Sequence, residues 1–204
     1  GFVDVINKLL ENNLDNNLLK KNHSKVLNTC YLHKGEFING DIERIKDINI
    51  IPSPYLTGAL DNFFKYPLIP LLETTRGCPF ACTFCADGLA TKNGVYRYTD
   101  NRTMDELIYI AKRVRNMDEL IVTDLNFAMY KQDINTAKMI AQSQKTYNFP
   151  TLVSASYGKN MPKRTIEVAG ILKGSSFGAA IQSTDPEVLK NIRRSNISTN
   201  AYRD

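Results

Sequence analysis

Nowhere in its 204 residues does the chain hold a run of about 18 uninterrupted apolar residues, so no segment reads as a membrane span. It also lacks the basic and apolar opening of a secretory signal, which argues against a disulfide-rich, oxidising setting and favours a cytoplasmic one. No glycine loop of the P-loop or Rossmann type is present, and that excludes the common phosphate-cradling motifs. The two histidines, His23 and His33, lie upstream of the main strand–helix region, and neither is expected to be catalytic. Net charge is +5, yet the basic residues come as pairs (Lys20-Lys21, Lys163-Arg164, Arg193-Arg194) and not as a stripe. With no nucleic-acid motif beside them they read as solvated surface, and nucleic acid is not the expected substrate. The remaining composition, 43% hydrophobic and 23% charged, is that of an ordinary globular chain with one sizeable core.

Cysteine is scarce too, with four in all, but three of them fall within eight residues: Cys78, Cys82 and Cys85. The run is Glu73-Thr-Thr-Arg-Gly-Cys-Pro-Phe-Ala-Cys-Thr-Phe-Cys85, a C-x3-C-x2-C spacing with an aromatic, Phe84, before the last cysteine. Three thiolates can hold three irons of a [4Fe–4S] cluster and leave the fourth without a protein ligand. A structural or electron-transfer cluster normally takes four cysteines. The fourth cysteine, Cys30, lies in Leu27-Asn-Thr-Cys-Tyr-Leu and reads as a small buried residue on a short strand. The alternative has Cys30 closing a four-thiolate site, which would make the chain a non-catalytic iron–sulfur or zinc-binding module.

The rest of the chain falls into two parts. Residues 1–22 carry apolar positions at helical spacing, and 25–50 read as short strands, Val26–Leu32 and Glu36–Ile38, with turns at Gly35 and Asn39-Gly40. Residues 51–66 form a connector. From 67 onward strand and helix alternate. Strands are expected over Leu68–Thr74, Leu120–Thr123, Thr151–Ser156 and Ser176–Gln182, the first an edge strand because it contains Pro70. A capping box at Thr103–Glu106 predicts the first helix of this part. Helices over Asp133–Lys145, from Pro162 and from Asp185-Pro186 follow the later strands. Repeated strand–helix units imply α/β structure with a parallel sheet. Residues 67–204 are too few for a closed eight-unit barrel, which takes about 250.

The cysteine run resembles the cluster-binding loop of radical S-adenosylmethionine (SAM) enzymes, whose pattern is C-x3-C-x-aromatic-C. Three further segments resemble parts of the cobalamin-dependent members: Ile51-Pro-Ser-Pro-Tyr-Leu-Thr-Gly-Ala-Leu-Asp61, Thr123-Asp-Leu-Asn-Phe-Ala-Met129 and Ala180-Ile-Gln-Ser-Thr-Asp-Pro-Glu-Val-Leu189. The resemblance covers about residues 50 to 200. It implies a partial parallel (β/α) barrel of the radical SAM type, preceded by a small α+β linker segment. On that reading 1–66 is the remnant or linker after a cobalamin-binding domain, and 67–204 is the N-terminal part of a six-unit core, truncated; the start at Gly1 agrees with a fragment. The implied activity is reductive cleavage of SAM to methionine and a 5′-deoxyadenosyl radical. That radical abstracts hydrogen from a small-molecule substrate, with cobalamin-dependent methylation or a related modification as the outcome. The implied cofactors are a [4Fe–4S] cluster, SAM and cobalamin, the last bound outside this chain, with flavodoxin or ferredoxin as electron donor.

The resemblance also assigns residues. Cys78, Cys82 and Cys85 are the expected iron ligands. Gly77 and Pro79 suit a tight loop whose N–H groups reach cluster sulfurs, or serve as plain turn residues. Phe84 is expected against the SAM adenine or as an apolar shield for the cluster. Strand ends offer Asp124, Asn126, Ser154, Ser156, Gln182 and Ser183. Asp124 and Asn126 stand where the family usually contacts the SAM amino group, although the Gly-Gly-Glu common there is missing. Ser154 and Gln182 are candidates for SAM ribose or carboxylate contacts, or for caps and loop hydrogen bonds. Lys159 reads as an exposed lysine, with pairing to a carboxylate as the other reading. Tyr130, Tyr147 and Tyr157 read as packing residues.

Overall fold

The computed structural model describes residues 1–176, 178 and 180–196, and the chain divides into two compact units, Gly1–Lys46 and Asp47–Asp204. The first holds α1 (Phe2–Glu11), α2 (Asn16–Lys21) and an antiparallel hairpin of β1 (Cys30–His33) with β2 (Glu36–Asn39). β1 begins later than the expected Val26 because Asn28 takes a left-handed φ of 55° that breaks the extended run. Cys30 is exposed on this strand, which corrects the buried reading.

In the second unit a three-stranded parallel sheet runs β3-β6-β7, with β3 (Leu71–Leu72) at one edge, β6 (Glu119–Phe127) in the middle and β7 (Leu152–Tyr157) beyond it. A short antiparallel pair, β4 (Thr75–Arg76) with β5 (Tyr96–Arg97), closes the base of the intervening loop. Helices α3 (Asp100–Ala111), α4 (Asp133–Tyr147) and α5 (Pro162–Ile171) follow, with α6 (Pro186–Asn191) last. α3 packs on α4 and α4 on α5. Leu107, Ile110, Ala137, Ile140 and Val168 from these helices meet Leu72, Leu120, Val122 and Val153 from the sheet in one core. Period-2 alternation explains β6: Leu120 and Val122 are buried, and the same alternation buries Asp124 and Asn126 farther along. The result is a mixed α/β fold with an open parallel sheet, a partial barrel and not a closed one. No helix among the described residues is long and apolar enough to cross a membrane.

Further element boundaries in this unit differ from expectation. The first strand stops at Leu72 because the N–H groups of Thr74 and Thr75 turn to the Asp124 carboxylate. Helix α3 starts at Asp100, capped by Thr99, whose hydroxyl accepts from Arg102 N; Thr103 lies one turn inside. Glu106, the other half of the expected capping box, instead pairs with Arg102 at 3.1 Å. The strand expected over Ser176–Gln182 includes Phe177 and Ala179, which lie outside the described residues. Its described residues form no strand, and a single parallel bridge joins Ser175 to Val153. Residues 47–66 pack with the second unit, where Tyr55 enters the core and its hydroxyl donates to Leu71 O.

Candidate active site

The loop from Gly77 to Val95 carries the three clustered cysteines and is fixed at both ends. At its entry Asp124, buried on β6, accepts from Thr74 N at 2.7 Å, Thr75 N at 2.9 Å and Thr74 Oγ1 at 2.5 Å. At its exit Arg97 Nη1 donates to Thr75 Oγ1 at 2.7 Å and to Asp133 Oδ1 at 2.6 Å, while Nη2 donates to Thr136 Oγ1 at 3.0 Å. Asp133 also accepts from Tyr130 N. Burial pushes both carboxyls above their ordinary value; the Thr74 and Thr75 donors oppose this at Asp124, and Tyr130 N–H and Arg97 oppose it at Asp133.

Two glycines let the loop close on itself. Gly77 has φ +102°, and a Cβ there would sit 2.0 Å from Gly94 O. A Cβ on Gly88 would sit 2.2 Å from Cys82 O. Glycine at 77 is therefore required by both conformation and space. Inside the loop Cys85 N donates to Cys82 O and Gly88 N to Cys85 O, while Thr83 N donates to Ile192 O just beyond α6.

This loop and the C-terminal ends of β6 and β7 border an open cleft of about 570 Å³, inside the roughly 300–1,000 Å³ range of small-molecule sites. Cys78, Cys82 and Cys85 all line it, together with Phe84, Asn126, Ser156, Lys159 and Gln182. Asp124 and Ser154 do not. The carboxylate of Asp124 is taken up by the loop entry, and Ser154 Oγ donates to Glu119 Oε1 at 2.6 Å along the sheet. Lys159 is buried, which corrects the exposed reading: the cysteine loop folds over it. Phe84 is about half exposed, with the Arg194 guanidinium 5.9 Å from its ring.

The thiols sit in graded surroundings. Cys82 is buried, Cys78 half-buried and Cys85 exposed. Asn126 Nδ2 donates to Cys78 Sγ at 3.3 Å, and Lys159 Nζ donates to Cys82 Sγ at 3.4 Å. The Tyr130 hydroxyl is buried without a hydrogen-bond partner among the described residues. Its pKa is pushed up to about 12, first by burial and then by the charge of Cys78. Among the described residues no three His, Cys, Asp or Glu side chains are close enough to share one ion. A cubane makes no such demand, since each thiolate binds a different iron. Sulfur ligands, donors aimed at two of them, and an orphan hydroxyl beside Cys78 fit an anionic iron–sulfur group. Neither Arg97 nor Asp133 was marked by the sequence as part of the site, and no local pattern signals them. Lys159 was marked, but with the wrong surroundings.

The family described as the Radical SAM superfamily matches residues 72–202. The cobalamin-dependent radical SAM methyltransferase TokK of Streptomyces tokunonensis is 32% identical over 164 residues, covering 74% of this chain and 24% of that protein. The 2-(S-pantetheinyl)-carbapenam-3-carboxylate methyltransferase of Streptantibioticus cattleyicolor is 30% identical over 194 residues, covering 89% of this chain and 28% of that protein. The chain thus spans about a quarter of the length of these relatives. In fold it is similar to the cobalamin-dependent SAM radical enzyme OxsB with aqua-cobalamin and SAM bound, at a TM-score of 0.61 and 19% identity, over 90% of this chain and 28% of that one.

Proposed function

The chain belongs to the radical SAM superfamily, and from that premise we propose that Cys78, Cys82 and Cys85 hold a [4Fe–4S] cluster whose open iron binds SAM. The observation that carries the reading is that three thiols of one loop line one cavity while the fourth cysteine, Cys30, stands on a strand of the other unit. Held by Cys78, Cys82 and Cys85, such a cluster would supply the one-electron reducing chemistry by which SAM is cleaved to methionine and a hydrogen-abstracting 5′-deoxyadenosyl group.

The chain's own residues bind and orient. Gly77 and Gly88 let the loop fold tightly, and Asp124 and Arg97 fix its ends. Asn126 and Lys159 direct donors at two thiolates. Phe84 offers an apolar face for the adenine at the cavity rim, and Gln182 and Ser156 offer polar groups to the rest of SAM. Asp124 acts through the loop and not on SAM.

For the whole protein we propose cobalamin-dependent methylation of a small molecule, with cobalamin held by residues outside this chain and electrons delivered by a flavodoxin or ferredoxin. The two relatives, one named as cobalamin-dependent and both as methyltransferases, support that class. Four free thiols suit a reducing, cytoplasmic setting. The test is EPR of the anaerobically reconstituted, dithionite-reduced protein with and without SAM, beside iron and sulfide analysis. Four irons and a signal that changes on adding SAM are expected. A signal indifferent to SAM, or zinc in place of iron, overturns the reading.

A further inference from the structure

Lys159 is 7% exposed, and among the described residues its ammonium meets only two groups, Cys82 Sγ at 3.4 Å and the Phe80 ring at 4.2 Å. Both belong to the cysteine loop. A buried ammonium is costly unless an anion faces it, and an aromatic ring offsets only part of that cost. Among the described residues no carboxylate does so, which leaves the Cys82 thiolate. The backbone beside the lysine is fixed: Gly158 N donates to Phe127 O at 2.7 Å, and a Cβ on Gly158 would sit 2.5 Å from the Met129 side chain. The lysine therefore reaches Cys82 from a rigid strand end. Among the described residues the other two thiols have no such partner. Cys78 receives a neutral amide, and Cys85 is open to solvent.

We infer that Lys159 is the built-in counter-ion of the Cys82 ligand, a positioning residue that holds the buried corner of the cluster and raises its reduction potential. This rests on the reading of the three cysteines as cluster ligands. Reduction adds one electron, and so one negative charge, to the cluster. A cation buried beside one ligand stabilises the reduced form more than the oxidised form, and solvent ions screen it little.

The test is an EPR-monitored reductive titration of the reconstituted full-length protein, with iron and sulfide counted per chain, for wild type, Lys159→Met and Lys159→Arg. Methionine keeps the apolar stem against Phe80 and removes the charge; arginine keeps the charge. At a fixed potential the ratio of reduced to oxidised cluster should fall roughly tenfold in Lys159→Met, a shift of about 59 mV downward for a one-electron couple. Lys159→Arg should stay near wild type. Loss of iron in the methionine variant alone, with retention in the arginine variant, also supports the assignment. A fully loaded Lys159→Met that titrates at the wild-type potential overturns it, as does equal loss of iron in both variants. Wild-type protein that takes up no [4Fe–4S] cluster instead sinks the underlying reading of the cysteines.

Discussion

Replacing Asp124 separates two roles for a buried carboxylate at the end of β6. In the structure it accepts three hydrogen bonds, two of them from the backbone of Thr74 and Thr75, which are themselves buried. A hydrogen bond to a charged group contributes about 1.5–3 kcal/mol, and bonds sharing one acceptor do not add fully. Alanine leaves two buried N–H groups unpaired, so Asp124→Ala should cost about 3–5 kcal/mol. Asparagine keeps one acceptor oxygen and should cost about 1–3 kcal/mol. Urea denaturation followed by far-UV circular dichroism measures both. Iron per chain should fall in parallel, because the entry to the cysteine loop is released. If Asp124 instead contacted the SAM amino group, Asp124→Asn would keep its stability and its iron and lose only SAM affinity. That pattern would refute the bracing role. A pH series adds a second check. Burial holds the Asp124 carboxyl above its ordinary value of 3.8. The folded state then binds the proton more tightly than the unfolded state. Its stabilising contribution is complete below the ordinary value and declines as pH rises through the folded one. The stability difference between wild type and Asp124→Asn should therefore narrow from about pH 4 upward. A difference that widens would mean that the threonine donors outweigh burial.

Three other substitutions probe the scaffold. Gly77→Ala places a Cβ 2.0 Å from Gly94 O at a φ of +102°, so it should abolish iron uptake while helical content holds; full iron in this variant would contradict the tight closure of the loop. Cys30→Ala changes an exposed residue of the Gly1–Lys46 unit, and iron per chain should not move; its loss would restore the four-thiolate alternative. Leu120→Ala empties a fully buried position on the central strand and should cost about 2–5 kcal/mol in denaturant titration. A cost below about 1 kcal/mol would mean that β6 is not the centre of the core.

Parts of the fold were legible because their cause is local. The short apolar, β-branched run Leu120–Thr123 marks β6, and the spacing of Ile134, Ala137 and Ala141 marks α4. Pro162 and Pro186 each open a helix, as a ring with fixed φ and no N–H should. The errors arose where two local signals competed or a distant group intervened. Thr99 and Thr103 both offer a capping hydroxyl, and Glu106 could not complete a box at Thr103 because Arg102 holds it. The first strand was drawn too long because the acceptor that ends it, Asp124, comes 50 residues later than Thr74.

The site divides the same way. Cysteine spacing is a property of eight neighbouring residues, so the candidate ligand set could be proposed from the sequence alone. What surrounds the ligands could not, because each contact spans a long stretch of chain: 36 residues from Arg97 to Asp133, 48 from Cys78 to Asn126, 77 from Cys82 to Lys159. Such pairs leave no periodicity to detect, and composition alone places a lysine on the surface. Yet these contacts decide how a cluster behaves, since ligand type fixes which metal group is held while burial, charge and hydrogen bonds to sulfur set its potential. Two chains with the same cysteine run can thus differ in how hard their cluster is to reduce. On the proposed reading of the cysteines, the difference for this chain rests on one buried ammonium, which the fold brings to Cys82 from just beyond the C-terminal end of β7.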